Sequence, residues 1–129
     1  MAVLCGVDII EIERIKNAFE KQGQAFRNRV FTEKEIAYCE SKKITKYRSY
    51  SARFAAKEAL VKALGTGISK GILLKDIEVL NDTYGKPYVV LNGKAKEHFI
   101  ALKGKNISLS LSHCESYAVA YVIIETTEN

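Results

Sequence analysis

The chain has 129 residues, 47% of them hydrophobic and 27% charged, with one Pro and no Trp. A chain of this size and composition forms a folded core and is neither a disordered linker nor a disulfide-stapled miniprotein. Its net charge of +5 is concentrated: residues 41–75 hold nine Lys and Arg against one acid, Glu58, while the remainder is slightly acidic. Such a window points to an anionic partner, although a solvated basic face is the plain alternative.

Residues 3–10 read as a strand that is apolar on both faces and central in a core, with Asp8 interrupting it. The run has no basic leader and is too short to span a membrane, so neither a signal peptide nor a membrane segment is expected. Ile12, Ile15 and Phe19 then recur at helical spacing up to Gly23. Thr32 followed by Glu35 is a capping box, which predicts a second helix to about Lys42. The longest helix is expected over 46–64, rich in alanine and closed by Gly65. Strands are expected over 76–80 and 87–91 around a turn containing Gly85. A short helix follows over 94–102, then strands over 107–111 and 117–124. One domain over 1–129 is expected. Its class is α+β: a mostly antiparallel sheet packed against one long helix and shorter helices.

The three cysteines, Cys5, Cys39 and Cys114, are odd in number and widely spaced. That excludes a disulfide framework and a zinc cluster and suits a reducing, cytoplasmic setting. Glu58 falls at the edge of the long helix's apolar face with Lys62 at i+4, so it is either an ordinary surface pair or part of a site. Arg53 over Lys57 is an unfavourable like-charge pair, which an anion between them would relieve. Asp8 reads equally as a helix cap, with Glu11 behind it, or as a metal ligand. Two carboxylates from different elements suit Mg²⁺ beside a phosphate ligand. Gly65-Thr66-Gly67 is a helix stop or a backbone cradle for phosphate, but no Walker motif. His113, in a turn beside Cys114, is a phosphate contact, a proton carrier or a plain turn residue. His98 reads as surface.

Several segments, in order and with matching spacing, resemble one family. They are Gly6-Val7-Asp8-Ile9-Ile10-Glu11-Ile12, Phe31-Thr32 with Glu35, and Arg53-Phe54-Ala55-Ala56-Lys57-Glu58-Ala59. Lys62-Ala63-Leu64-Gly65-Thr66-Gly67, Gly85-Lys86-Pro87, Ser110-Leu111-Ser112-His113 and Ala118-Val119-Ala120 complete the set. Together they resemble the small bacterial holo-[acyl-carrier-protein] synthases, which are phosphopantetheinyl transferases.

The resemblance implies the 4′-phosphopantetheinyl transferase fold. It also implies a Mg²⁺-dependent transfer of 4′-phosphopantetheine from coenzyme A to a serine of apo-acyl carrier protein, in support of fatty acid biosynthesis and lipid metabolism. Adenosine 3′,5′-bisphosphate is the by-product. Carried over residue by residue, Asp8 and Glu58 would hold the metal. Arg53, Lys57, Lys62, Gly65, Thr66 and His113 would contact coenzyme A. Glu58 and Lys62 would act in the chemistry: the serine proton leaves to a Mg²⁺-bound water or to one oriented by Glu58, and Lys62 stabilises or protonates the departing phosphate. A homotrimer with sites between subunits is implied. The helix bearing Arg14, Lys16 and Lys21 is then the docking face for the acidic carrier protein. Residues 21–29 do not match the family cleanly. The rivals are a nucleic-acid-binding protein, disfavoured because RNA- and DNA-binding signatures are missing, and a coenzyme A-binding protein without chemistry.

Overall fold

The computed structural model describes residues 1–65 and 71–127. In chain order the elements are β1 (Val3–Glu11), α1 (Ile12–Gln22), α2 (Gln24–Val30), α3 (Glu33–Glu40), α4 (Lys46–Leu64), β2 (Ile77–Asn81), β3 (Pro87–Leu91), α5 (Gly93–Ala101), β4 (Gly104–His113) and β5 (Tyr117–Thr126). The class is α+β, as expected. The strands form two antiparallel sheets and not one: β1-β5-β4, and the hairpin β2-β3.

The three-stranded sheet packs one face on α4. On β5, Ala118, Ala120, Val122 and Ile124 alternate inward and are fully buried. They meet the alanine-rich side of α4, where Ala55, Ala56 and Ala59 are buried too. Small residues on both surfaces let the helix lie close to the sheet. The approach is tightest at Gly6 of β1. A Cβ there would overlap the carbonyl oxygen of Ala59 and lie 2.9 Å from the nitrogen of Ala63. Gly6 and Asp8 point to the same side of β1, so this contact draws Asp8 against α4.

α4 runs from Lys46 to Leu64, as its composition predicts. Gly65 closes it at φ 75° in the left-handed region, where glycine carries no Cβ penalty. α3 opens with the expected capping box, with Thr32 Oγ1 accepting from the Glu35 N–H and a Glu35 carboxylate oxygen accepting from the Thr32 N–H. It stops at Glu40, short of the expected Lys42, and a 3-10 turn over Lys43–Thr45 leads into α4. Lys43 takes a φ of 53°, which breaks the helical path.

Two expectations need correction. β1 is an edge strand and not a central one. Its inward face packs on α4, but Val3, Val7 and Ile9 on the outer face are 57%, 52% and 65% exposed. The apolar pattern of both faces was real; within one chain only one face has a cover. Asp8 is no helix cap either. The N-cap of α1 is Glu11, with no side-chain hydrogen bond, and Asp8 lies within the strand.

α2 was not anticipated. Gly23, at φ 58°, ends α1 and starts α2. Phe26 of α2 then packs edge-on against Phe19 at 5.4 Å, and Phe19 lies 4.6 Å from Tyr50 of α4. This aromatic cluster anchors α1 and α2 and leaves Arg14, Lys16 and Lys21 exposed.

Candidate active site

β1 and α4 bring three of the expected residues together. Lys62 Nζ donates to Asp8 Oδ1 at 3.0 Å and to the carbonyl of Val7 at 2.9 Å. Glu58 stands one turn earlier on α4, half-buried. Burial pushes the Glu58 carboxyl above its ordinary range, and the charge of Asp8 pushes it further, while Lys62 opposes both. Lys62 pairs with Asp8, and Glu58 feels both charges without an ion pair of its own among the described residues. The Lys62 side chain is 55% exposed against 17% for Asp8, so the cluster opens to solvent on the lysine side.

This donor set suits a hard divalent cation, since carboxylate oxygens are the ligands Mg²⁺ takes. No group of three or more His, Cys, Asp or Glu that could hold a metal occurs among the described residues. An ion bound here would complete its shell with ligand phosphate oxygens and water, as Mg²⁺ does beside nucleotides.

A second cluster lies on the other flank of α4. Arg53 and Glu58 are five residues apart, about 140° around the helix at 3.6 residues per turn. Arg53, Arg48, Lys42 and His113 line a pocket of about 390 Å³, together with Ser49 and Asn81. Arg53 is 3% exposed, and its Nη1 donates to Ser49 Oγ at 3.1 Å. Its Nη2 donates to Asn81 Oδ1, and its guanidinium sits 4.2 Å from the ring centroid of Tyr38. Four cationic or ionisable groups around one cavity suit an anionic ligand. Arg48, Lys42, Tyr38, Ser49 and Asn81 had not been singled out; the basic run Lys42, Lys43, Lys46, Arg48 was the available signal.

Lys57, expected to contact the ligand, does not face either cluster. It is fully buried, and its three ammonium donors go to Glu35 Oε1 at 2.8 Å, to the carbonyl of Leu74 at 3.1 Å and to the carbonyl of Ile77. Burial lowers its pKa, and the Glu35 charge opposes that. Glu35 accepts in addition from the N–H of Thr32 at 2.9 Å and of Val79 at 2.8 Å. The anion that relieves the Arg53–Lys57 repulsion is therefore internal. Gly65 spends its N–H on the carbonyls of Val61 and Lys62, at 3.2 and 3.1 Å, so that donor is not free for phosphate. Thr66 and Gly67 lie outside the described residues.

Residues 4–122 match the model of the 4′-phosphopantetheinyl transferase superfamily. A holo-[acyl-carrier-protein] synthase of Ruminiclostridium cellulolyticum is 58% identical over 124 residues, covering 96% of this chain and 92% of the relative. The corresponding protein of Clostridium tetani is 53% identical, covering 93% of each. Among solved structures, the Helicobacter pylori holo-[acyl-carrier-protein] synthase in complex with coenzyme A superposes with a TM-score of 0.82 at 30% identity, covering 95% of this chain and all (100%) of that one. The Bacillus anthracis synthase, in complex with coenzyme A (3′,5′-ADP), gives 0.79 at 36% identity, covering 98% and 100%. With its fold and nearly its whole length matched, the chain belongs to the 4′-phosphopantetheinyl transferase superfamily, within the holo-[acyl-carrier-protein] synthase family.

Proposed function

We propose that this protein transfers 4′-phosphopantetheine from coenzyme A to a serine hydroxyl of apo-acyl carrier protein and releases adenosine 3′,5′-bisphosphate, in support of fatty acid biosynthesis. The observation that carries this reading is the Asp8–Glu58 pair beside Lys62, one flank away from a cationic pocket. Coenzyme A bound to the Helicobacter pylori and Bacillus anthracis relatives supports the choice of donor. The direct test is whether adenosine 3′,5′-bisphosphate appears only when coenzyme A, Mg²⁺ and apo-carrier are all present. Release without carrier would indicate hydrolysis instead.

Asp8 and Glu58 would hold Mg²⁺, which when bound neutralises pyrophosphate charge. The serine oxygen forms a bond to the phosphorus that bears pantetheine. The bond from that phosphorus to the 5′-phosphate oxygen breaks. Glu58 is placed to orient a water that takes the serine proton. Lys62, half exposed and already beside Asp8, donates to the departing 5′-phosphate. Arg48, Arg53 and His113 hold anionic parts of coenzyme A in their pocket.

One chain keeps these two clusters on opposite flanks of α4, so we assign the complete site to a seam between chains of a homotrimer. The uncovered outer face of β1 and β5 supports this assembly. Val7 stands opposite Tyr121 there, and Ile9 opposite Val119. Val7, Ile9 and Tyr121 are all exposed and contiguous, as association surfaces are. Val7→Asp is expected to yield a monomer by light scattering with transfer activity lost together. A trimer that survives the substitution would contradict the assignment.

The carrier docks on α1 through Arg14, Lys16 and Lys21. Arg14→Glu is expected to raise KM for carrier roughly tenfold, with KM for coenzyme A little changed. Equal changes in both would remove α1 from the docking face. We further assign one domain to residues 1–129 and a cytoplasmic location. Three free thiols fit a reducing compartment. Among the described residues no helix is long and apolar enough to cross a membrane.

A further inference from the structure

We propose that Asn81 is a positioning residue: it ties the Arg53 guanidinium to the β2–β3 turn and so orients Arg53 in the cationic pocket. The inference rests on the reading of that pocket as the site of coenzyme A's anionic groups. It also gives a role to Gly85-Lys86-Pro87, which the chemistry leaves unused.

Asn81 is the last residue of β2 and pairs in register with Pro87 of β3. Its amide nitrogen donates to the carbonyl of Gly85 at 2.9 Å, and its Oδ1 accepts from Arg53 Nη2. The turn behind it is stiff. Asp82 Oδ1 accepts from the N–H of Tyr84 at 2.8 Å and of Lys86 at 2.9 Å. Two backbone bonds, Asp82 N–H to Lys86 O at 2.9 Å and Gly85 N–H to Asp82 O at 3.0 Å, close it. Gly85 adopts a φ of 84°, which presents its carbonyl to Asn81 and excludes most other residues.

The rest of the Arg53 frame leaves little freedom. Ser49 Oγ takes Nη1, and the same oxygen accepts from Cys39 Sγ at 3.3 Å. Burial pushes the Cys39 thiol up to about 11, so it stays a donor. Tyr38 covers the guanidinium face. Arg53 Nε is buried with no partner among the described residues. A guanidinium held by Ser49, Asn81 and Tyr38 that still lines the pocket is preorganised for an acceptor that arrives with the ligand. Among the described residues, Asn81 makes the one side-chain link from that Arg to the turn.

The test is a coupling measurement on the full chain, using coenzyme A itself as the probe. Asn81→Leu is expected to weaken coenzyme A binding by calorimetry roughly tenfold, the effect of one lost hydrogen bond to a charged group. KM for carrier should move less than about twofold, because no residue lining the pocket belongs to α1. In an Arg53→Lys background, Asn81→Leu should add less than about twofold, since the link is already gone. Asn81→Asp keeps the acceptor but loses the donor to Gly85, and is expected to fall between wild type and Asn81→Leu. Equal losses in both backgrounds, or equal losses for both substrates, would overturn the proposal. If the wild-type chain binds no coenzyme A, the functional reading fails and not this inference. The Arg53 Nε–H exchange rate then decides it: NMR should show faster exchange in Asn81→Leu, and an unchanged rate would overturn the positioning role. The exchange measurement also decides the matter should Asn81→Leu fold poorly, with Asn81→Asp in its place.

Discussion

Lys57→Ala should lower the melting temperature by roughly 10–20 °C, the largest effect expected of any single side chain here. The Lys57–Glu35 pair is fully enclosed, with both side chains at 0% exposure. Removing the ammonium leaves a buried carboxylate with no compensating cation, which typically costs about 3–5 kcal/mol. It also strips the carbonyls of Leu74 and Ile77 of their donor. A domain with roughly 5–15 kcal/mol of total stability loses much of it. The pair joins α3, α4 and the start of β2, so its loss loosens three elements at once. Assayed in the cold, where the variant stays folded, its KM for coenzyme A should remain near the wild-type value. An unaltered melting temperature with a much higher coenzyme A KM would return Lys57 to the ligand site.

Glu58→Gln should behave in the opposite way. Transfer is expected to fall by roughly 10²–10³-fold, because an oxygen ligand and the oriented water are both lost. The metal-free chain, however, should melt roughly 3 °C higher, since a half-buried charge beside Asp8 is removed. The pH dependence follows from the sign of the shift. The folded chain holds the Glu58 proton more tightly than the unfolded chain does. Its contribution to stability is therefore fully present below the ordinary glutamate value of 4.5 and is lost as pH rises through the raised native value. Glu58→Gln should abolish that decline. Mg²⁺ should restore stability to the wild-type chain at neutral pH, and do nothing for Glu58→Gln. Thermal melts with and without Mg²⁺ across pH check all three expectations. A variant less stable than wild type in the absence of metal would contradict the strained-carboxylate picture.

These two glutamates and one lysine show where sequence reasoning reached and where it stopped. The limits of α4 were legible because alanine propensity and the glycine stop act locally. The capping box at Thr32 and Glu35 was legible for the same reason. The second task of Glu35 was not, because its partner Lys57 lies 22 positions away and its contact beyond the capping box is the backbone N–H of Val79. Carbonyls of Leu74 and Ile77 leave no mark on composition or spacing. α2 was missed because a helix of seven residues carries too few apolar positions to show a period. β1 was misplaced because an apolar outer face looks the same in sequence whether or not the chain itself covers it. Asp8, Glu58 and Lys62 were singled out from charge and spacing, and the resemblance to a family supplied their roles. What the fold adds is the physical cause of their meeting: Gly6 lets β1 approach α4 closely. Arg53 was named too, but its frame of Ser49, Tyr38 and Asn81 joins residues that only folding brings together.

The intact mass of an apo-acyl carrier protein, incubated with this protein, coenzyme A and Mg²⁺, tests phosphopantetheine transfer most directly. The carrier is predicted to gain one phosphopantetheine on one serine, with no gain when that serine is replaced and a gain roughly 10²–10³-fold slower when Glu58→Gln is used. A carrier whose mass stays unchanged while coenzyme A remains bound would contradict the transfer and leave a binding protein in its place.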